Sequence, residues 1–153
     1  GHPAFHDGNG NLRIVRAFDF RDIRKIVSLD NLDTRSAAFR QRRDELRAGR
    51  NLTEKETTRI LQQLAENAAD DRPILWELVE PLIEVNPGTP PPSGHGTHVA
   101  GILGANGAGV RPGEQPQRRF ADGMCPEIRL YDFRVLGKSL DELADEWRDW
   151  VNG

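Results

Sequence analysis

The chain has 153 residues, 37% hydrophobic and 29% charged, with a formal net charge of -3. That length supports one domain with a real core. The slightly acidic balance offers no basic field for nucleic acid and no polybasic patch for a membrane. No apolar run approaches a bilayer span, and the opening Gly1-His2-Pro3-Ala4-Phe5 does not read as a signal peptide. A single cysteine, Cys125, excludes an internal disulfide and a thiolate metal cluster. Lying beside Pro126 and just before an apolar run, it is expected to be a small buried hydrophobe.

Three zones follow in chain order. In residues 1–20, the turn signal Asp7-Gly8-Asn9-Gly10 precedes Leu12-Arg13-Ile14-Val15-Arg16-Ala17-Phe18, which reads as a short strand. Residues 21–92 change character. Thr34 to Arg47 is charged and helix-favouring, with arginines interleaved among acids as on a solvated helical face. Thr53-Glu54-Lys55-Glu56 is a capping box that opens a second helix, and Ile60, Leu61, Leu64, Ala65 and Ala68 recur there at helical spacing. Gly49 between the two predicts a helical hairpin. Asn51-Leu52-Thr53 fits a glycosylation acceptor, but it overlaps the capping box and reads better as a helix start. Pro73 begins a short element through Trp76, Leu78 and Val79. Asn86-Pro87-Gly88-Thr89-Pro90-Pro91-Pro92 then forms a stiff loop with neither helix nor strand.

Residues 93–153 return to alternating elements. A helix is predicted from His95, followed by a Gly/Arg/Pro-rich loop over about 106–123. Ile128 to Leu136 reads as a strand, with Ile128, Leu130, Phe133 and Val135 among its apolar positions. A second capping box, Ser139-Leu140-Asp141-Glu142, opens a helix with an apolar face of Leu140, Leu143, Ala144, Trp147 and Val151. Strand–helix alternation implies an α/β fold: a partial parallel sheet flanked by helices, carrying a helical insertion.

The stretch Gly94-His95-Gly96-Thr97-His98-Val99-Ala100-Gly101 carries the chemistry. A histidine acting as general base must be neutral near pH 7, oriented, and within reach of a nucleophile. The positive end of a helix dipole favours the neutral imidazole, and the flanking glycines let partners and substrate approach closely. Thr97 can serve free N–H groups of the first turn. Val99, Ala100, Ile102 and Leu103 are apolar nearly all round, as in a helix buried against a sheet, and Gly101 and Gly104 would allow close packing. Spacing alone leaves alternatives: an ordinary glycine-flanked loop histidine, or a metal pair at His95 and His98. The second lacks an acid between the histidines and a third ligand at recognisable spacing, so no metal or cofactor is expected. His2 and His6 read as solvent-facing or loop-packing residues.

The same stretch, with Ser93 before it, resembles the histidine motif of the subtilisin-like serine proteases (subtilases). The resemblance extends in order to Gly123-Met124-Cys125-Pro126, to Val135-Leu136-Gly137, to the predicted helix from Ser139, and to His2-Pro3. It thus covers residues 1–20 and 93–153, a partial catalytic domain, with 21–92 as a mostly helical insertion. It implies that His95 is the general base of an Asp/His/Ser triad, that His98 matches the motif's second, structural histidine, and that a peptide or protein is the substrate. The aspartate motif expected just before His-Pro and the Gly-Thr-Ser-Met-Ala serine motif have no counterpart in residues 1–153. The chain is therefore expected to be an internal piece of a subtilase, inactive by itself. Calcium sites do not carry over, since Ala4 stands where an aspartate often follows His-Pro. The compartment stays open, and the resemblance is compatible with an extracellular one. The competing expectation is a non-enzymatic, degenerate subtilase-like module whose helical insertion binds a partner protein.

Overall fold

The computed structural model describes residues 2–91, 94–109, 113–114 and 121–135. Among them the chain is mixed α/β, with a small three-stranded mixed sheet flanked by helices. The strands are β1 (Ile14–Asp19), β2 (Glu84–Val85) and β3 (Leu130–Arg134), in the order β2-β1-β3. A partial parallel sheet flanked by helices was the sequence expectation; the sheet is mixed and helices flank it. Alternation of strands with helices constrains crossovers, but it does not set the direction of every strand. The helices are α1 (Ile23–Ile26), α2 (Ala37–Arg47), α3 (Glu54–Ala69), α4 (Trp76–Ile83) and α5 (His95–Gly104). The second capping box and its helix, and the Leu136-Gly137 end of the third strand, lie outside the described residues.

The chain divides into two compact units: Gly1–Ala17 with Asn86–Gly153, and Phe18–Val85. The second unit is built on local signals. Ser36 caps α2, its side chain accepting from the Phe39 N–H at 3.0 Å. Thr53 and Glu56 form the reciprocal capping box of α3. Between the two helices Gly49 takes φ +73°, the left-handed region that a side chain strains. The faces at helical spacing meet in one apolar cluster of Phe18, Ile26, Phe39, Leu46, Ile60, Leu61, Leu64, Val79, Leu82 and Ile83. A fully buried Asn31 donates to the carbonyls of Lys25 and Ile26 at 3.0 Å and so closes the end of α1. The expected solvated face of α2 is broken at Arg43. That side chain is buried and paired with Glu54 at 2.6 Å, because its stem packs inward while its head reaches the next helix.

The first unit is organised differently. Its described buried apolar residues are few and mostly small: Pro3, Ala4, Phe5, Ala17 and Ala105. Its buried polar residues are His6, Arg13, Asn106 and Arg134, and the side chains of the last three tie its segments together. The Arg13 guanidinium donates to the carbonyls of Ala4 (2.8 Å), Gly104 (2.5 Å) and Ile128 (2.8 Å). It thereby joins the 3-10 turn Pro3–Phe5, the end of α5 and the approach to β3. Asn106 adds a bond from its side-chain amide to Glu127 at 3.0 Å, while its backbone N–H donates to Ala4 O at 2.9 Å.

The strand expected over Ile128 to Leu136 is formed by Leu130–Arg134, and its apolar positions do not share one face. Leu130 and Asp132 are half-buried and Arg134 is buried, whereas Tyr131, Phe133 and Val135 are exposed. Side chains alternate with period two, so Phe133 and Val135 cannot share a face with Leu130.

Candidate functional site

Helix α5 begins at His95, with Gly94 as its N-cap. The first turn closes through His98 N–H to Gly94 O at 3.1 Å. At the other end each carbonyl finds a donor. Gly101 O accepts from Ala105 N–H, Ile102 O from Met124 N–H, Leu103 O from Cys125 N–H at 2.7 Å, and Gly104 O from Arg13. The carbonyls left over at a helix C-terminus are thus satisfied by one loop and one arginine. Gly104 is buried there: a Cβ would lie 2.7 Å from the Ile128 side chain. Gly123 is more constrained, because its Cβ would lie 2.8 Å from backbone atoms of Gly101, Gly104 and Ala105 rather than from a side chain. Gly101, by contrast, has open space, so only one of the two expected packing glycines in α5 serves that purpose.

His95 is exposed at the lip of a cleft of about 820 Å³. Its walls are Pro87, Thr89, Pro90 and Pro91 from the proline-rich loop, Gly96, Val99, Ala100 and Leu103 from α5, and Leu130 to Arg134 from β3. His2 and Phe5 also line it, their rings in edge contact at 6.0 Å between centroids. The lining is mainly apolar, with a few polar groups converging on it, as in sites that take a small molecule or an extended side chain. Arg134 is buried behind the lining, its Nε donating to Asp132 at 2.8 Å and its Nη2 to Thr89 O at 2.6 Å.

The structure brings His95 together with the proline-rich loop and with β3, and leaves other predicted residues apart. His98 is exposed and lines a second hollow with His2, Ile102 and Met124. His6 is buried, its Nδ1 without a partner among the described residues. No group of three or more His, Cys, Asp or Glu among the described residues is placed to hold a metal ion.

Two expectations are corrected here. Cys125 is exposed, not buried: its backbone is used to cap α5, which holds the residue at the surface. The α5 helix is not enclosed either. Val99, Ile102 and Leu103 are exposed, Ile102 at 67%, and among the described residues only Gly104 of this helix is buried. The described elements reach α5 chiefly at its C-terminal end, through the turn Pro3–Phe5 and residues 123–125.

Sequence reasoning passed over Arg13 and Arg134. Each is a lone arginine within an apolar strand pattern, and that placement is the one signal that could have marked them. Comparison with known family models, with curated proteins and with solved structures finds no match.

Proposed function

We propose that this chain carries the histidine-bearing part of a subtilisin-like serine endopeptidase, with His95 as its general base. The observation that carries the reading is the Gly94-His95-Gly96-Thr97-His98-Val99-Ala100-Gly101 motif, set at the start of a helix with His95 exposed at the lip of an apolar cleft. In this reaction the neutral imidazole takes the proton of a serine hydroxyl as the hydroxyl attacks the peptide carbonyl. It returns that proton to the leaving amine, and a carboxylate on the far ring nitrogen fixes the tautomer. The serine and the carboxylate come from polypeptide outside residues 1–153. The finer subtilisin-like architecture belongs to the same proposal.

Triad members act as a unit, so a base without its nucleophile does no chemistry. A fluorophosphonate probe is expected to leave the 153-residue chain unlabelled. In a longer polypeptide that supplies both missing motifs, His95→Ala should lower kcat/KM by about 10⁴-fold or more. Labelling of the isolated chain, or unchanged turnover in His95→Ala, overturns the reading.

A second reading, a non-catalytic module whose 21–92 segment binds a partner protein, draws on one observation. Unit 18–85 has its own apolar core yet leaves Leu29, Leu32 and Trp76 exposed. A longer polypeptide that lacks both missing motifs would favour it.

A further inference from the structure

We propose that Arg134 is a positioning residue for the His95 cleft, fixing the proline-rich approach that leads into the His95 helix. The proposal rests on the reading of His95 as the functional group.

Pro87, Pro90 and Pro91 have no N–H to give. The N–H of Gly88 already donates to Asn86 Oδ1 at 2.8 Å, and that of Thr89 to Asn86 O at 3.0 Å. These bonds make a local turn. Thr89 O accepts from outside the loop, so the group that anchors it there is a donor.

Arg134 is that donor. Its Nη2 meets Thr89 O at 2.6 Å, across 45 positions of sequence. Its own direction is set by Asp132, two residues earlier on the same side of β3, whose carboxylate accepts from Nε at 2.8 Å. A guanidinium is planar and offers its donors in a fixed fork, so fixing Nε on one partner aims Nη2 at the other. Burial of Arg134 keeps water from competing for either bond.

The geometry around α5 gives this contact its consequence. The far end of the helix is clamped by Arg13 and by residues 123–125. Its near end is entered from the loop, and Thr89, Pro90 and Pro91 form one wall of the cleft at whose lip His95 sits. Releasing Thr89 therefore frees the cleft wall beside His95 while the far end stays fixed.

The test compares wild type, Arg134→Met and Arg134→Lys in the full 153-residue chain, by amide hydrogen exchange and by NMR signals of the His95 ring. In Arg134→Met the amides of Thr89 and His98 are expected to exchange about tenfold faster or more, as local opening replaces a charge-assisted anchor. The His95 ring signals should move, while the amides of Asn106 and Cys125 keep their rates. Arg134→Lys, which keeps a cationic donor but not the fork, should restore part of the protection. The proposal is overturned if Thr89, His98 and the His95 ring behave as in wild type. It is equally overturned if every amide of the unit accelerates together, because Arg134 would then support only the fold. Should Arg134→Met not fold, the same local-against-uniform comparison is made with Arg134→Lys. None of these readouts needs turnover, so failure of the positioning role is distinguishable from failure of the protease reading.

Discussion

Arg13→Met should uncouple the first unit. The side chains are similar in volume, so the main loss is hydrogen bonding. Three carbonyls lose a donor, but Ala4 O keeps the Asn106 N–H at 2.9 Å. Gly104 O and Ile128 O have no other donor among the described residues. Leaving the buried Gly104 O unsatisfied costs about 1–3 kcal/mol, and the loss at Ile128 O, on a partly exposed residue that water reaches, adds about 0.5–1.5 kcal/mol, so the two together cost about 1.5–4.5 kcal/mol. A gain offsets part of this. Burial lowers the Arg13 pKa, with Glu127 and then Asp7 acting against it, and the Nε finds no partner among the described residues. Replacing that poorly solvated cation by an apolar chain recovers about 1–2 kcal/mol, following the behaviour of buried ionic groups. The net expectation, taken from the central values, is a loss of about 1.5 kcal/mol. A single melting temperature does not describe a chain with two units. The measurement is therefore hydrogen exchange by mass spectrometry, with peptides from residues 1–17 and 86–109 read against peptides from 37–69. Protection should fall in the first set and hold in the second. A change below about 0.5 kcal/mol in the first set, the range of an unremarkable surface substitution, would refute the account of Arg13 as the unit's hub.

Further outcomes follow from the same structure. Gly123→Ala should destabilise the first unit by about 1–3 kcal/mol, since its Cβ would meet backbone that cannot swing aside; chemical denaturation checks it. Leu61→Ala should cost about 2–5 kcal/mol, confined to exchange in 18–85, because the side chain is fully buried in that unit's core. Thr53→Ala should lower α3 protection by about 1 kcal/mol through loss of the capping box. Asp7 is held below the usual carboxylate range first by its side-chain bond to Asn11, and Glu56 by its bond to Thr53. A carboxyl depressed on folding adds stability above its unfolded value and loses it as pH falls through the folded one. Both should thus weaken the chain only on the acid side of about pH 4, and Asp7→Asn with Glu56→Gln should flatten that limb of a stability–pH profile.

Local signals in the sequence carried much of the fold. The Thr53 box, the left-handed Gly49, the strand near Ile14 and the start of α5 are each set by a few adjacent residues, and each is where that chemistry puts it. What was illegible depends on residues far apart in sequence. Arg13 bonds Ile128 across 115 positions, and Arg134 bonds Thr89 across 45. A strand arginine gives no local sign of which carbonyls it will find, and it reads as solvent-facing. The same blindness explains β3. An apolar count cannot say which parity of a five-residue strand turns inward, and here the buried parity is the one carrying Asp132 and Arg134. It also explains Cys125, whose place is decided by the backbone bond it gives to Leu103 rather than by its side chain. Of the candidate site, the histidine and its helix start were legible; the cleft wall and its anchor were not.

The two units are stabilised by different physics, and the difference bears on the site. Burial of apolar surface is non-directional, so the core of 18–85 tolerates small shifts at little cost. Guanidinium bonds are directional. Their strength falls quickly once a donor leaves its carbonyl, so a unit held by Arg13 and Arg134 is defined in geometry even where its apolar core is thin. A general base needs that property, since its reach to a nucleophile is judged in tenths of an ångström. The unit also gives up little by leaving Val99, Ile102 and Leu103 exposed, because α5 is fixed by its carbonyls rather than by its sides. Changing Ile102 to Gln should therefore leave exchange at Asn106 and Cys125 unaltered, within the roughly 0.5 kcal/mol of an ordinary surface substitution. A loss several times larger would mean that the helix is held by its apolar flank, and that the polar clamps are secondary.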